Sequence, residues 1–208
     1  MQEALFTIGH STHSLERFVA LLTMHGVTAV CDVRSKPYSR TNPQFNREEL
    51  RQRLVQAKIA YVFLGKELGG RSEDLSCYAQ GKVRYEELAR RGAFHKGLDR
   101  VREGAKRYRI ALMCAEKEPL ECHRAILVAR HLELCGITVQ HIHADGRLES
   151  HKNALDRLVR QLNLPEQHMF CSPEDVLVEA YRLQENRIAY DRGDSGEAQA
   201  PSLGSTTR

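Results

Sequence analysis

No apolar run in this chain approaches the roughly 20 residues that a membrane-spanning helix needs. No membrane partner is therefore expected. The opening residues, MQEALFTIGHS, lack the basic patch and long apolar core of a secretory signal, so a cytoplasmic setting is the expectation. Internal repeats are absent too, which sets solenoids aside. The six cysteines suggest no disulfide framework and read as thiols. Neither charge sign is in large excess: the net is +4. That balance admits an anionic small molecule or nucleic acid as partner without requiring one. What is present is ordinary for a folded domain. Charged residues make up 28% and hydrophobic ones 41% of 208 positions, enough to bury a core without staples.

The chain is organised around YRIALMCAEKEPLECHRAILVARHLELCG, Tyr108 to Gly136. Ile110 to Met113 reads as a buried strand. A polar loop runs from Cys114 to Glu121, and Cys122-His123-Arg124 then opens a helix that Gly136 stops. One cysteine thus ends a strand, and a second opens a helix. A helix N-terminus offers unpaired N–H groups and partial positive charge, which stabilise an anion or thiolate.

Other strands are expected at Leu5 to Gly9, Val27 to Val33, Ile59 to Leu64 and Ile137 to Ile142. Between them fall helices: one capped by Ser14, one capped by Asn46 with Glu49 in a capping box, and one from Arg84 to Lys106 broken near Gly92. Residues 72 to 83 look irregular. Two more helices follow, one marked by Leu155, Leu158, Val159 and Leu162, the other opened by Ser172-Pro173. The fold class is α/β: three layers, a mostly parallel sheet of about five strands flanked by helices, with C-terminal helices appended. The domains expected are a core with the site over 1–150, a helical extension over 151–190 and a disordered tail over 191–208.

Ligands of such sheets bind beyond the carboxyl ends of the strands. That edge gathers His10 and Ser11, Asp32 and Arg34, the Gly69-Gly70 loop, and Cys114, with Cys122, His123 and Arg124 close by. Cys122 is the candidate thiolate, His123 its base or acid, Cys114 a resolving or sulfur-carrying partner, and His10 a further base. Arg34, Arg40 and Arg124 suit phosphate or carboxylate, with Asp32 in the same binding set and Ser11 supplying a hydroxyl; the plainer alternative is a surface salt bridge in which Asp32 orients Arg34. Gly69 and Gly70 suit a tight turn against a phosphate. Cys31, Cys77, Cys135 and Cys171 lack such company and read as structural. The Cys122-to-Arg124 spacing is too short, and Cys114-to-Arg124 too long, for a phosphatase or rhodanese loop. Cys114, Cys122, His123, His10 and His13 could bind a metal, but they match no common zinc knuckle, so neither metal nor cofactor is expected. A Cys114–Cys122 disulfide is a further option.

TIGHS at Thr7 to Ser11, DVRSKPYSR at Asp32 to Arg40, and MCAEKEPLECHR at Met113 to Arg124 occur in that order, with Leu68-Gly69-Gly70 between. Over roughly residues 5 to 150 the chain resembles the prokaryotic family catalogued as domain of unknown function four-eight-eight. The resemblance implies a cytoplasmic α/β fold with its site at these motifs, and brings no reaction with it. The residues themselves point to a thiolate-based transferase or hydrolase acting on a nucleotide or nucleic-acid component. The rivals are a non-catalytic nucleotide or nucleic-acid binding module serving DNA repair or modification, and a metal-dependent hydrolase.

Overall fold

The computed structural model describes residues 4–164 and 172–193. Its strands, in chain order, are β1 (Leu5–Gly9), β2 (Ala29–Asp32), β3 (Ala60–Phe63), β4 (Tyr78–Ala79), β5 (Lys82–Val83), β6 (Ile110–Cys114), β7 (Val139–Ile142) and β8 (Leu148–Ser150). Six of them form one sheet in the order β3-β2-β6-β1-β7-β8, and β4 and β5 make a small separate hairpin. The first five strands of the sheet pair in parallel; β8 is antiparallel to β7. Each parallel strand lies on an apolar run that the sequence marks. β8 and the hairpin fall where it shows no strand, because two or three residues are too few to display alternation.

The helices are α1 (Leu15–Met24), α2 (Arg47–Gln56), α3 (Gly65–Leu68), α4 (Tyr85–Arg90), α5 (Gly92–Ala105), α6 (Arg130–Leu134), α7 (His151–Gln161) and α8 (Pro173–Ile188). Strand alternation sorts the core into two layers. Phe6, Ile8, Val30, Ala111 and Met113 face α1 and α2. Leu5, Cys31, Val33, Ile110, Leu112 and Cys114 face the opposite layer, with Phe94, Leu98 and Val101 of α5. The same alternation that buries Leu112 therefore aims Cys114 at the helix that begins beside Cys122.

Ser14 and Ser172 cap α1 and α8 as their positions suggest, the second in a full capping box. Asn46 does not cap with its side chain. Its Oδ1 accepts the Ser39 N–H at 2.8 Å instead and fastens the loop ahead of it. Gly69 and Gly70 also differ from expectation. Neither has positive φ, as Gly26, Gly81, Gly136 and Gly146 do. They are glycines because of crowding. A Cβ on Gly69 would stand 2.3 Å from the Gly65 carbonyl, and one on Gly70 2.8 Å from the His123 ring.

The C-terminal helices share the main core: Ala154, Leu158, Ala180 and Tyr181 belong to the cluster that holds Leu112 and Val139. A buried row of hydrogen bonds fastens α8 to the sheet. Thr7 Oγ1 meets His141 Nδ1 at 2.8 Å, His141 Nε2 meets His151 Nδ1 at 3.0 Å, and His151 Nε2 meets the Tyr181 hydroxyl at 2.8 Å. A neutral imidazole has one donor and one acceptor, so the row is satisfied with both rings uncharged. Burial lowers the pKa of His151 to about 4 and pushes His141 down as well. Residues 191–193, placed in the tail by sequence, lie against the hairpin: Lys82 and Asp191 form a β-bridge, and the Arg192 N–H donates to the Gly81 carbonyl. The rest of that tail, and Cys171, lie outside the described residues. No described helix is long and apolar enough to cross a membrane.

Candidate active site

Three strand ends set the floor of the site. Gly9 stands opposite Cys114 and Asp32 opposite Met113 in the parallel register, so His10, Arg34 and Cys114 emerge side by side. Beyond them opens a cavity of about 640 Å³. His10, Ser11, Arg34, Gly70, Cys114, Cys122 and His123 all line it, although up to 113 positions separate them.

Cys122 has extended backbone (φ −140°, ψ 139°) and begins the helix. Its carbonyl accepts from the Ala125 and Ile126 N–H groups at 3.0 and 3.2 Å, and its sulfur from the Arg124 N–H at 3.5 Å. The first turns, Arg124–Ala129, are of the wide π type before α6 continues them. Such turns are uncommon and recur at functional sites. His123 is pinned from behind, its Nε2–H donating to the Val33 carbonyl at 3.0 Å. That bond leaves Nδ1 facing the two sulfurs, 3.7 Å from Cys114 and 3.8 Å from Cys122. Neither cysteine is in a disulfide. A carboxylate joins them: Glu116 Oε2 lies 3.0 Å from the Cys114 sulfur and 2.9 Å from that of Cys122.

Charge follows from this packing. Burial pushes the Cys122 thiol up, but the hydrogen bond from Cys114, the Arg124 guanidinium and His123 outweigh it and hold the group well below the ordinary thiol range. Cys114 goes well above it, through burial first and then Cys122 and Glu116 beside it. Burial and Cys122 likewise raise Glu116. Burial opposes charge on His123, yet Cys122 and Glu116 leave its pKa raised. Of the two sulfurs, the surroundings favour the thiolate at Cys122 and the thiol at Cys114.

The arginines sit differently from the arrangement expected. Arg34 makes a two-pronged bond to Asp32, with Nε to Oδ1 at 2.9 Å and Nη2 to Oδ2 at 2.7 Å, and donates to the Phe45 carbonyl. Tyr61 also donates to Asp32 at 2.8 Å. His10 donates from Nδ1 to the Ser11 carbonyl and accepts from Arg34 Nη1 at Nε2, with its ring stacked on Phe45. Both its nitrogens are engaged, and burial lowers its pKa to about 4. Asp32 and Arg124 stand behind the cavity, and Arg40 is exposed outside it. Arg124 is 1% exposed and spends its fork on the Glu116 and Lys117 carbonyls at 2.7 and 3.2 Å. Among the described residues no carboxylate pairs with it, so its charge acts on Cys122 nearby. Ser11 is held at φ 46°, a conformation costly for a non-glycine residue, with its N–H on the Ala115 carbonyl.

Several lining residues were missed. Glu116 sits in a loop whose three other charged residues, Lys117, Glu118 and Glu121, hide it. Lys36, Arg71 and Lys117 bring cations, while Tyr38, Tyr85 and Tyr190 bring aromatic faces. Ile188 and Tyr190 come from the C-terminal segment, so that segment completes the site. Gln184 and Arg157 also brace the site loop, through the Leu120 carbonyl and the Glu118 carboxylate, each at 2.8 Å. Cys114, Cys122 and His123 form the only compact set of metal-capable donors among the described residues; His10 and His13 stand outside it. Cys31 and Cys77 are buried, as structural thiols should be, whereas Cys135 is exposed.

Fold and site together define an α/β protein with a mostly parallel sheet and two thiols, one at a strand end and one at a helix start, on the same cavity. Residues 14–131 match the family described as domain of unknown function DUF488, and the chain belongs to that family. The match takes in the Asp32–Arg40 and Met113–Arg124 segments and leaves Thr7–Ser11 outside. No curated protein and no solved structure matches the chain.

Proposed function

We propose that this protein is a thiolate-based enzyme, a transferase or hydrolase, acting on a nucleotide or a nucleic-acid component. The observation that carries the reading is the aim of His123 Nδ1 at two sulfurs, fixed from behind by the Val33 carbonyl. The Cys122 thiolate attacks an electrophilic centre while His123, whose pKa is raised beside it, gives the Nδ1 proton to the leaving group as that bond breaks. Water or an acceptor then releases the group from sulfur. Cys122 is the nucleophile, Cys114 the partner that donates to it, and Arg124 the buried cation that favours the thiolate. Asp32, His10 and Arg34 hold the floor. The cavity volume suits a mononucleotide-sized ligand. Lys36, Arg71 and Lys117 match phosphate, with Arg71 lying over the Tyr190 ring, and the exposed Tyr38 offers a face on which a base can stack.

The test sets reactivity against exposure. Cys122 is 2% exposed, whereas Cys135 is open to solvent. In reduced, chelator-treated protein at neutral pH, iodoacetamide should alkylate Cys122 faster than Cys135, with peptide mapping as readout. His123→Ala should remove that advantage. Slower labelling of Cys122 than of Cys135 would end the thiolate reading and leave the non-catalytic binding module in its place.

A further inference from the structure

The two sulfurs and a ring nitrogen of His123 all lie within 4.8 Å of one another. A tetrahedral zinc ion, with bonds of about 2.3 Å to sulfur and about 2.05 Å to nitrogen, holds sulfur and nitrogen ligands about 3.6 Å apart. Both observed sulfur–nitrogen separations, 3.7 and 3.8 Å, come close to that edge. The imidazole is also in the form that a metal requires. Its Nε2–H is fixed on the Val33 carbonyl, which leaves the Nδ1 lone pair pointing inward. Arg124 supports one sulfur through its backbone N–H. Glu116 is placed otherwise: at 2.9 and 3.0 Å its oxygen is nearer the sulfurs than the roughly 3.5 Å of a shared coordination shell, so it is a hydrogen-bond partner of the sulfurs and not a fellow ligand.

We propose that Cys114, Cys122 and His123 bind one soft divalent cation of the zinc class, with the fourth coordination position open to the cavity. Two thiolates and an imidazole select such an ion over magnesium or calcium. Binding releases the proton that each coordinating thiol still holds. A bound ion engages both sulfurs, so the loaded site and the nucleophilic thiolate are alternative states of one centre. The cation site rests on the positions of three donor atoms and stands independently of the proposed reaction.

The experiment is cobalt titration of the full, reduced chain after exhaustive chelation. One equivalent should bind, with intense near-ultraviolet absorption from thiolate-to-cobalt charge transfer, and zinc should displace it. Cys114→Ser, Cys122→Ser and His123→Ala should each weaken binding at least tenfold, whereas Cys31→Ser and Cys135→Ser should not. A readout that needs no variant is protection: zinc should shield Cys114 and Cys122 from alkylation and leave Cys135 labelled. Failure to bind a full equivalent, undiminished binding in Cys114→Ser, or absent protection would overturn the proposal. The two readings fail separately. No cobalt uptake with fast Cys122 labelling removes the cation site alone. Stoichiometric uptake with an inert Cys122 in the stripped chain removes the thiolate enzyme alone.

Discussion

Replacing Gly70 with alanine tests whether the glycine loop exists to seat His123. The added Cβ would stand 2.8 Å from His123 Cγ, 3.0 Å from Cβ and 3.1 Å from Nδ1. Carbon contacts are comfortable from about 3.5 Å, so the ring or the loop must retreat by roughly 0.7 Å. The ring has little room, because it is 9% exposed and tied to the Val33 carbonyl. Overpacking of this kind costs about 1–3 kcal/mol. A ring displaced by that amount also loses its line to the sulfurs, where misplacement is expensive in rate. Urea unfolding should therefore show Gly70→Ala less stable by about 1–3 kcal/mol, and Cys122 should lose its labelling advantage over Cys135. Gly92→Ala is the control. Nothing lies within 4 Å of a Cβ there, so stability should hold within about 0.5 kcal/mol. A Gly70→Ala protein as stable and as reactive as the parent would refute the argument.

Acid should weaken the attachment of α8. The His151 pKa is lowered to about 4 in the folded chain from 6.5, so the unfolded chain takes the proton first. Its stabilisation is whole above pH 6.5 and fades as pH falls toward 4, by about 3 kcal/mol in all. Urea melts across that window should show a shallower pH dependence in His151→Gln; equal slopes would contradict the buried-row account. Arg124→Met should cost about 2 kcal/mol, since it removes the donor from two part-buried loop carbonyls, and should slow Cys122 labelling; an unchanged melt would show that the clamp is dispensable. Lys117→Ala with Arg71→Ala should weaken binding of a mononucleotide about tenfold by calorimetry, with a reduced dependence on salt; equal affinity would place the anion elsewhere.

The sequence made the five parallel strands legible because each is a run of apolar residues between polar loops, and the sheet edge then followed from topology. His10, Arg34, Cys114, Cys122 and His123 meet for that reason. What it concealed was how the charges are spent. Nothing in the spacing of Arg124 says that its fork closes on the carbonyls of 116 and 117, eight and seven positions earlier. An arginine beside a cysteine reads as an anion receptor, yet a buried one that caps loop carbonyls acts on the sulfur instead. Glu116 was hidden for the opposite reason. A glutamate among charged neighbours looks solvated until the loop folds back and sets its carboxylate against two thiols. The contribution of Ile188 and Tyr190 depends on helix docking, in which the buried row from Thr7 to Tyr181 joins the apolar contacts of Ala180 and the bond of Gln184 to the Leu120 carbonyl. That row also makes the C-terminal segment part of the catalytic unit proposed here. Any change that unseats α8 opens one wall of the cavity before it touches a sulfur, so loss of ligand binding should precede loss of thiol reactivity.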